Sequence, residues 1–240
     1  MSLGVPGPAG APVETLLLDA GGVFLFPNWE RVSQALSRRG VDIAAEALAA
    51  VEPRARRQLD VPATVAATND ASRFKLYFDL VFAGAGLAPS AACDAAFVEL
   101  AAYHARVNLW EHVPPAARAA LEHLRQAGLR LVVVSNANGT VQAHLARLGL
   151  ASFFDAIIDS HDVGVEKPDP RIFHLALERA GARPETALHA GDLYHVDVVG
   201  ARAAGLAAVL VDEADLYADH PCVRVPSLAA LARRLTASVS

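Results

Sequence analysis

Cysteine is nearly missing from this chain. Cys93 and Cys222 are the only two among 240 residues. They lie far apart and near no residue that would complete a metal-ligand spacing, which excludes a zinc knuckle or ribbon. A bond between them stays open on sequence alone, but such sparse use suits a reducing compartment, so a cytoplasmic protein is expected. Long apolar runs are missing too. None reaches the roughly 18 residues needed to span a bilayer, and no membrane association is expected. Basic clusters are absent: 21 Lys and Arg against 26 Asp and Glu give a net charge of −5, which excludes a nucleic-acid footprint. The first residues, 1–12, are rich in Gly, Pro and Ala and lack the charged start and apolar run of a signal peptide. They read as a flexible tail. What is plentiful is apolar content, 53% of the chain, which places it among well-packed globular proteins.

Five short apolar runs read as buried parallel strands: Glu14–Leu18, Leu129–Val134, Ala156–Ile158, Ala187–Ala190 and Ala207–Val211. Helical patterns alternate with the last four. Pro115–Ala127 stops at Gly128, and Thr140–Leu148 stops at Gly149. Asp169 is placed to cap a helix that opens with Pro170 and closes at Gly181, and His195–Ala204 ends at Gly205. This alternation predicts an α/β fold with a parallel sheet and right-handed crossovers. The connection after the first strand is far too long for a plain crossover. It carries helical patterns over residues 28–39, 44–59 (interrupted by Pro53), 69–83 and 90–107, and no convincing strand. Residues 27–112 therefore read as an inserted all-helical domain lying over the carboxyl edge of the sheet. Residues 13–26 and 113–240 form the α/β core.

Ligands of open parallel sheets bind at the carboxyl ends of the strands. Polar groups fall there in order. Asp19 ends the first strand, ahead of Gly21 and Gly22. Ser135 and Asn136 end the second. Lys167 lies in the loop after the third, within the stretch Gly164 to Pro170, and Asp192 follows the fourth, five residues before Asp197. Each suits phosphoryl transfer. An aspartate carboxylate is a nucleophile that forms an acyl phosphate. The Ser135 hydroxyl, the Asn136 segment and the Lys167 ammonium can hold phosphate oxygens. Carboxylates repel an incoming phosphate unless a cation intervenes, and Mg²⁺, hard and oxygen-ligated, is the natural one. Asp19, Asp192 and the carbonyl of Gly21 are its candidate ligands. Asp197 is placed to orient Lys167 or brace the loop.

In this order the four motifs resemble those of the haloacid dehalogenase (HAD) superfamily, with a helical cap inserted after the first motif, over about Glu14 to Val211. The resemblance implies a flavodoxin-like core, a cap that closes over substrate, and Mg²⁺-dependent hydrolysis of phosphate esters of small metabolites. The chain departs from the family's phosphatases at Gly21, where they carry a second aspartate that protonates the leaving alkoxide and then activates water. Family dehalogenases also lack that aspartate, but they usually lack the metal site as well, and Asp192 is retained here. Hydrolysis of a small phosphorylated substrate is thus the first expectation. Carbon–halide hydrolysis and a catalytically weak phosphoryl-ligand binder are the alternatives. Substitute acids, judged by loop position alone, are His195, Glu166, Asn28, Asp60 and Arg73.

Other notable residues read as structural. His123 and His144 are expected at the surface, His189 in packing, and His195 in a structural role. Phe74, Tyr77, Phe78 and Phe82 share one helical face and are expected to fill the core of the inserted domain. Arg54, Arg56 and Arg57 read as a solvated face.

Overall fold

A computed structural model describes residues 12–237, so the tail expected over 1–12 lies almost wholly outside the described residues. The chain divides into two compact units, one built from residues up to Phe26 and from Val113 onwards, the other from Pro27–His112.

The first unit is built on a six-stranded sheet, in which β1 (Thr15–Leu18), β2 (Arg130–Ser135), β3 (Ala156–Asp159), β4 (Ala187–Gly191), β5 (Ala207–Val211) and β6 (Val223–Val225) pair in parallel. Their order is β3-β2-β1-β4-β5-β6. The chain winds outward from β1 to β3, then returns to lay β4 against the other side of β1. The crevice of such a sheet opens where the winding reverses, between β1 and β4. Asp19 and Asp192 follow those two strands, so topology alone brings them together.

Both faces of the sheet are covered, which is why the strands read as continuous apolar runs. On one face Leu17, Val132, Val134, Ile158 and Leu210 pack with Ile172, Phe173 and Ala176 of a helix at Pro170–Ala180. On the other, Leu16, Leu18, Leu131 and Val133 are fully buried. Each such leucine contributes on the order of 1.5–3 kcal/mol.

The second unit contributes five helices: α1 (Trp29–Ser37), α2 (Ala45–Leu59), α3 (Pro62–Ala67), α4 (Asp70–Gly84) and α5 (Ala91–Val107). Asn28 caps α1 by accepting from the Arg31 amide at 3.0 Å. Asn69 and Ser72 form a reciprocal capping box at the start of α4, each accepting the other's backbone N–H at 3.0 Å. Tyr77, Phe78, Val81 and Phe82 of α4 are buried with Leu48, Ala55 and Leu59 of α2.

The first unit then continues through α6 (Pro115–Gln126), α7 (Val141–Arg147), α8 (Ser160–Val163), α9 (Pro170–Ala180), α10 (Val199–Ala203) and α11 (Leu228–Thr236). Helix α9 starts as its sequence predicts: the Asp169 carboxylate accepts the Arg171 amide at 2.9 Å, Pro170 opens the first turn, and Gly181 closes it at φ +57°.

Several expectations need correction. Pro53 does not interrupt α2. Proline inside a helix costs about 3 kcal/mol, but Leu48 before it and Ala55 and Leu59 after it bury on one continuous face. The stretch expected as a helix from His195 opens instead with a wide π-type turn, Tyr194–Val198, before α10. β6 and α11 lie beyond Val211, where the sequence reading ends. His144 is buried, its Nδ1 3.0 Å from Arg147 Nη2. Arg56 is not a solvated side chain: it is 13% exposed and pairs with the buried Glu52 at 3.4 Å.

Candidate active site

Asp19 continues β1 by one residue, its amide donating to the Ala190 carbonyl at 2.9 Å. Beyond it the chain folds back tightly. The Leu25 amide donates to the Ala20 carbonyl, and the Gly22 amide to the Leu25 carbonyl, both at 2.9 Å. Neither bond uses the Gly21 carbonyl. Gly22 sits at φ +71°, where glycine is favoured, whereas Gly21 is not among the glycines with positive φ.

Lys167 is buried, and its ammonium lies between two carboxylates, 2.8 Å from Asp19 Oδ1 and 2.7 Å from Asp197 Oδ1. Burial disfavours its charge, but the two carboxylates more than offset this and hold its pKa above the ordinary lysine value. Asp197 is equally buried. Desolvation opposes its ionisation too, yet the Lys167 charge and a hydrogen bond from His189 hold its pKa well below the usual carboxylate range. Asp19 shares Lys167 with that charged neighbour. Burial, aided by the Asp197 charge, lifts its pKa above the usual range despite the ammonium.

Lys167 reaches this position because its backbone is clamped. The Asn136 side chain donates from Nδ2 to the Lys167 carbonyl at 2.9 Å and accepts the Lys167 amide at Oδ1 at 2.7 Å. The Asn136 side-chain amide is thus engaged on both sides in fixing Lys167. Below the clamp, the Lys167–Pro168 peptide is cis, and α10 passes so close that a Cβ on Gly200 would meet Pro168 Cα and O at 2.9 Å.

Asp197 is held by the turn that carries it. Its amide donates to the Leu193 carbonyl at 2.8 Å and its Oδ2 accepts the Leu193 amide at 3.0 Å. The carboxylate lies directly over Gly191, where a Cβ would fall 2.1 Å from Asp197 Cγ. Gly191 is therefore a requirement of the site.

Ser135 is the buried last residue of β2, in register with Asp159 at the end of β3. Asp159 and Ser160, neither singled out by sequence, shape the loop that follows. Asp159 Oδ2 accepts the amides of Gly139 at 3.0 Å and Val141 at 3.2 Å, and Ser160 Oγ accepts the Ala137 amide at 3.0 Å. The sequence signal for Asp159 is a carboxylate directly after an apolar run, where β3 ends and α8 begins.

Asp192 is buried, and one ligand atom each from Asp19, Asp192 and Asp197 lie within 4.8 Å of one another. Three carboxylates thus converge, two of them on the Lys167 ammonium, an arrangement of oxygen donors that suits a hard divalent cation. Asp197 already accepts three hydrogen bonds, from Lys167, His189 and Leu193. Among the three carboxylates, Asp19 and Asp192 are therefore the candidates for holding a divalent cation.

Of the residues considered as substitute acids, Asn28 caps α1 and donates to Glu111 at 2.9 Å, and Arg73 holds Thr68 at 3.2–3.3 Å. Asp60 is fully buried. His195 packs edge-on to Tyr194 and His220, at centroid distances of 5.1 and 5.7 Å. Glu166 is half-buried beside Lys167. Cys93 and Cys222 are both free thiols. Among the described residues no helix is long and apolar enough to cross a membrane.

Known proteins share this arrangement of sequence and fold. A mouse protein described as haloacid dehalogenase-like hydrolase domain-containing protein 3 is 45% identical over 91 residues, 38% of this chain and 36% of its own length. A glyceraldehyde 3-phosphate phosphatase of Methanopyrus kandleri is 35% identical over 136 residues, 56% of this chain and 58% of its own. The chain thus matches less than two thirds of either relative. A HAD-hydrolase from Bacillus subtilis, solved bound to magnesium, superposes with a TM-score of 0.69 over 94% of this chain and 99% of its own at 19% identity, a likeness of fold. The sequence pattern of the hydrolase family described as haloacid dehalogenase-like matches residues 13–205, most of the chain. The protein belongs to the haloacid dehalogenase-like hydrolases.

Proposed function

We propose that this hydrolase cleaves phosphate esters of a small phosphorylated metabolite, assisted by Mg²⁺, through an aspartyl-phosphate on Asp19. One observation carries the reading: the Asp19 carboxylate is held by a buried, charged Lys167 and has Asp192 within metal-sharing distance. An Asp19 oxygen attacks phosphorus, the ester P–O bond breaks, and the alkoxide leaves. Water then attacks the phosphorus of the aspartyl-phosphate, releasing inorganic phosphate and restoring the carboxylate. Lys167 and the Ser135 hydroxyl hold the transferring oxygens and stabilise their growing charge. Asn136 and Asp197 act through Lys167, one fixing its backbone and the other its ammonium. Asp19, Asp192 and the Gly21 carbonyl hold Mg²⁺, which supplies the positive charge that lets a phosphate dianion approach the carboxylates.

Gly21 offers no side chain to protonate the leaving alkoxide. The proton then comes from solvent, at a rate cost of about 10²–10⁴ relative to a positioned acid. Turnover is accordingly slow. Residues 27–112 act as the cap whose side chains choose the substrate, and the enzyme works in the cytoplasm. The phosphatase named among the relatives and the magnesium of the Bacillus subtilis structure both favour this reading.

A panel of phosphate monoesters assayed for phosphate release tests it. Release should require Mg²⁺, stop with EDTA, and vanish in Asp19→Asn. Halide release from haloacids that EDTA leaves intact would replace this reading with carbon–halide hydrolysis. Thermal stabilisation by phosphorylated ligands without turnover would replace it with a binding role.

A further inference from the structure

His189 is a buried titratable side chain beside the site that the chemistry above does not use. It lies in the middle of β4, fully buried, in register with Leu17. Side chains on a strand alternate, so His189 and Gly191 share a face, and it is over Gly191 that the Asp197 carboxylate rests. The imidazole Nε2 is 3.1 Å from Asp197 Oδ1, the same oxygen that receives the Lys167 ammonium at 2.7 Å. Its other nitrogen, Nδ1, is buried without a hydrogen-bond partner among the described residues, and the ring stands edge-on to Phe173 at 4.9 Å.

These contacts determine where the ring carries its proton. An ionised carboxylate accepts and does not donate, so Nε2 carries the hydrogen that points at Asp197. A second hydrogen on Nδ1 would be a buried donor with nothing to receive it, which is far costlier than an unused lone pair. The hydrogen bonding thus places the proton on Nε2 and leaves Nδ1 bare. Asp197 is pinned at both oxygens, Oδ2 by the Leu193 amide and Oδ1 by His189. Without the His189 bond, Oδ1 is held by the Lys167 ammonium alone, and the ammonium between Asp197 and Asp19 loses an anchor fixed independently of itself.

We propose that His189 is a positioning residue for the reaction: its Nε2–H locks the Asp197 carboxylate and so sets where the Lys167 ammonium stands beside Asp19. The inference rests on the hydrolase reading above, but two of its tests do not need turnover. Long-range nitrogen–proton NMR of the imidazoles, with His189→Gln identifying the signal, should give the Nε2–H tautomer for His189 at neutral pH. A ring protonated on Nδ1, alone or together with Nε2, would overturn the proposal. The chain has only two lysines, Lys75 and Lys167, so the buried Lys167 ammonium is a readily assigned signal. It should move or broaden in His189→Phe and return in His189→Gln, whose side-chain amide keeps a donor. In phosphate-release assays of folded variants, His189→Phe should lose roughly 10–100-fold in kcat/KM, the usual range for removing an orienting hydrogen bond, and His189→Gln should recover most of it. Equal losses in both variants, or none in either with an unmoved Lys167 signal, would contradict it. Absence of phosphate release in the native enzyme would sink the hydrolase reading instead and leave the NMR tests to judge His189.

Discussion

At Gly21 the side chain is missing but the backbone does not demand that it be. The positive φ that calls for glycine falls on Gly22, one residue later. A carboxylate introduced by Gly21→Asp is thus compatible with the local backbone, and steady-state phosphate release should rise, by up to about 10²–10⁴ if proton delivery limits the rate. No change would show that another group already serves as the acid. Gly191 is the opposite case: its missing side chain is required. Gly191→Ala places a methyl where Asp197 Cγ lies, and should cost about 1–3 kcal/mol in denaturant unfolding, as overpacking does, with loss of most activity. Asp19, Ser135 and Asp192 could be found in the sequence because each stands at or just past the end of an apolar strand, and Lys167 because it lies in the loop just before the helix that Asp169 caps. The clasp of Asn136 on Lys167 spans 31 residues and exists only once β2 and the loop before α9 meet. The contact from His189 to Asp197 likewise depends on a turn whose wide geometry no local signal announces.

Among the elements, the Glu111 carboxylate ties α1 to α5 in the second unit. Glu111 accepts hydrogen bonds from Asn28 at the cap of α1, from Arg31 within α1 and from Tyr103 of α5, at 2.8–3.0 Å. Burial raises its pKa, but those three donors outweigh it and the net shift is downward. A carboxyl with a depressed folded pKa stabilises the fold above its unfolded value. That contribution should therefore be intact at neutral pH and fade as pH falls below about 4.3, the ordinary glutamate value. Glu111→Gln should cost roughly 1–3 kcal/mol at pH 7. It should also flatten the acid limb of the unfolding midpoint against pH, and an unchanged acid limb would contradict the assignment. Most element boundaries here follow from capping residues and periodicity. Pro53 misled because burial on both sides of it overrides a local penalty. β6 is a three-residue edge strand whose pairing with β5 depends on tertiary contact and not on its own sequence.

For the whole molecule, the sheet's reversal between β1 and β4 explains why residues 173 positions apart in sequence, Asp19 and Asp192, stand within 4.8 Å of each other. Three carboxylates brought within 4.8 Å of one another repel, a cost that a divalent cation would relieve. Mg²⁺ should therefore stabilise the native protein, by about 2.7 kcal/mol at a hundredfold excess over its dissociation constant. Thermal unfolding with and without EDTA should show a rise in Tm that Asp192→Asn removes. The central claim, that Asp19 is the nucleophile of a Mg²⁺-assisted phosphatase, is tested most directly by phosphate release from a monoester panel, comparing the native enzyme with Asp19→Asn in Mg²⁺ and in EDTA. The account predicts slow release by the native enzyme in Mg²⁺ alone and none from Asp19→Asn. Release that survives either EDTA or Asp19→Asn would contradict it.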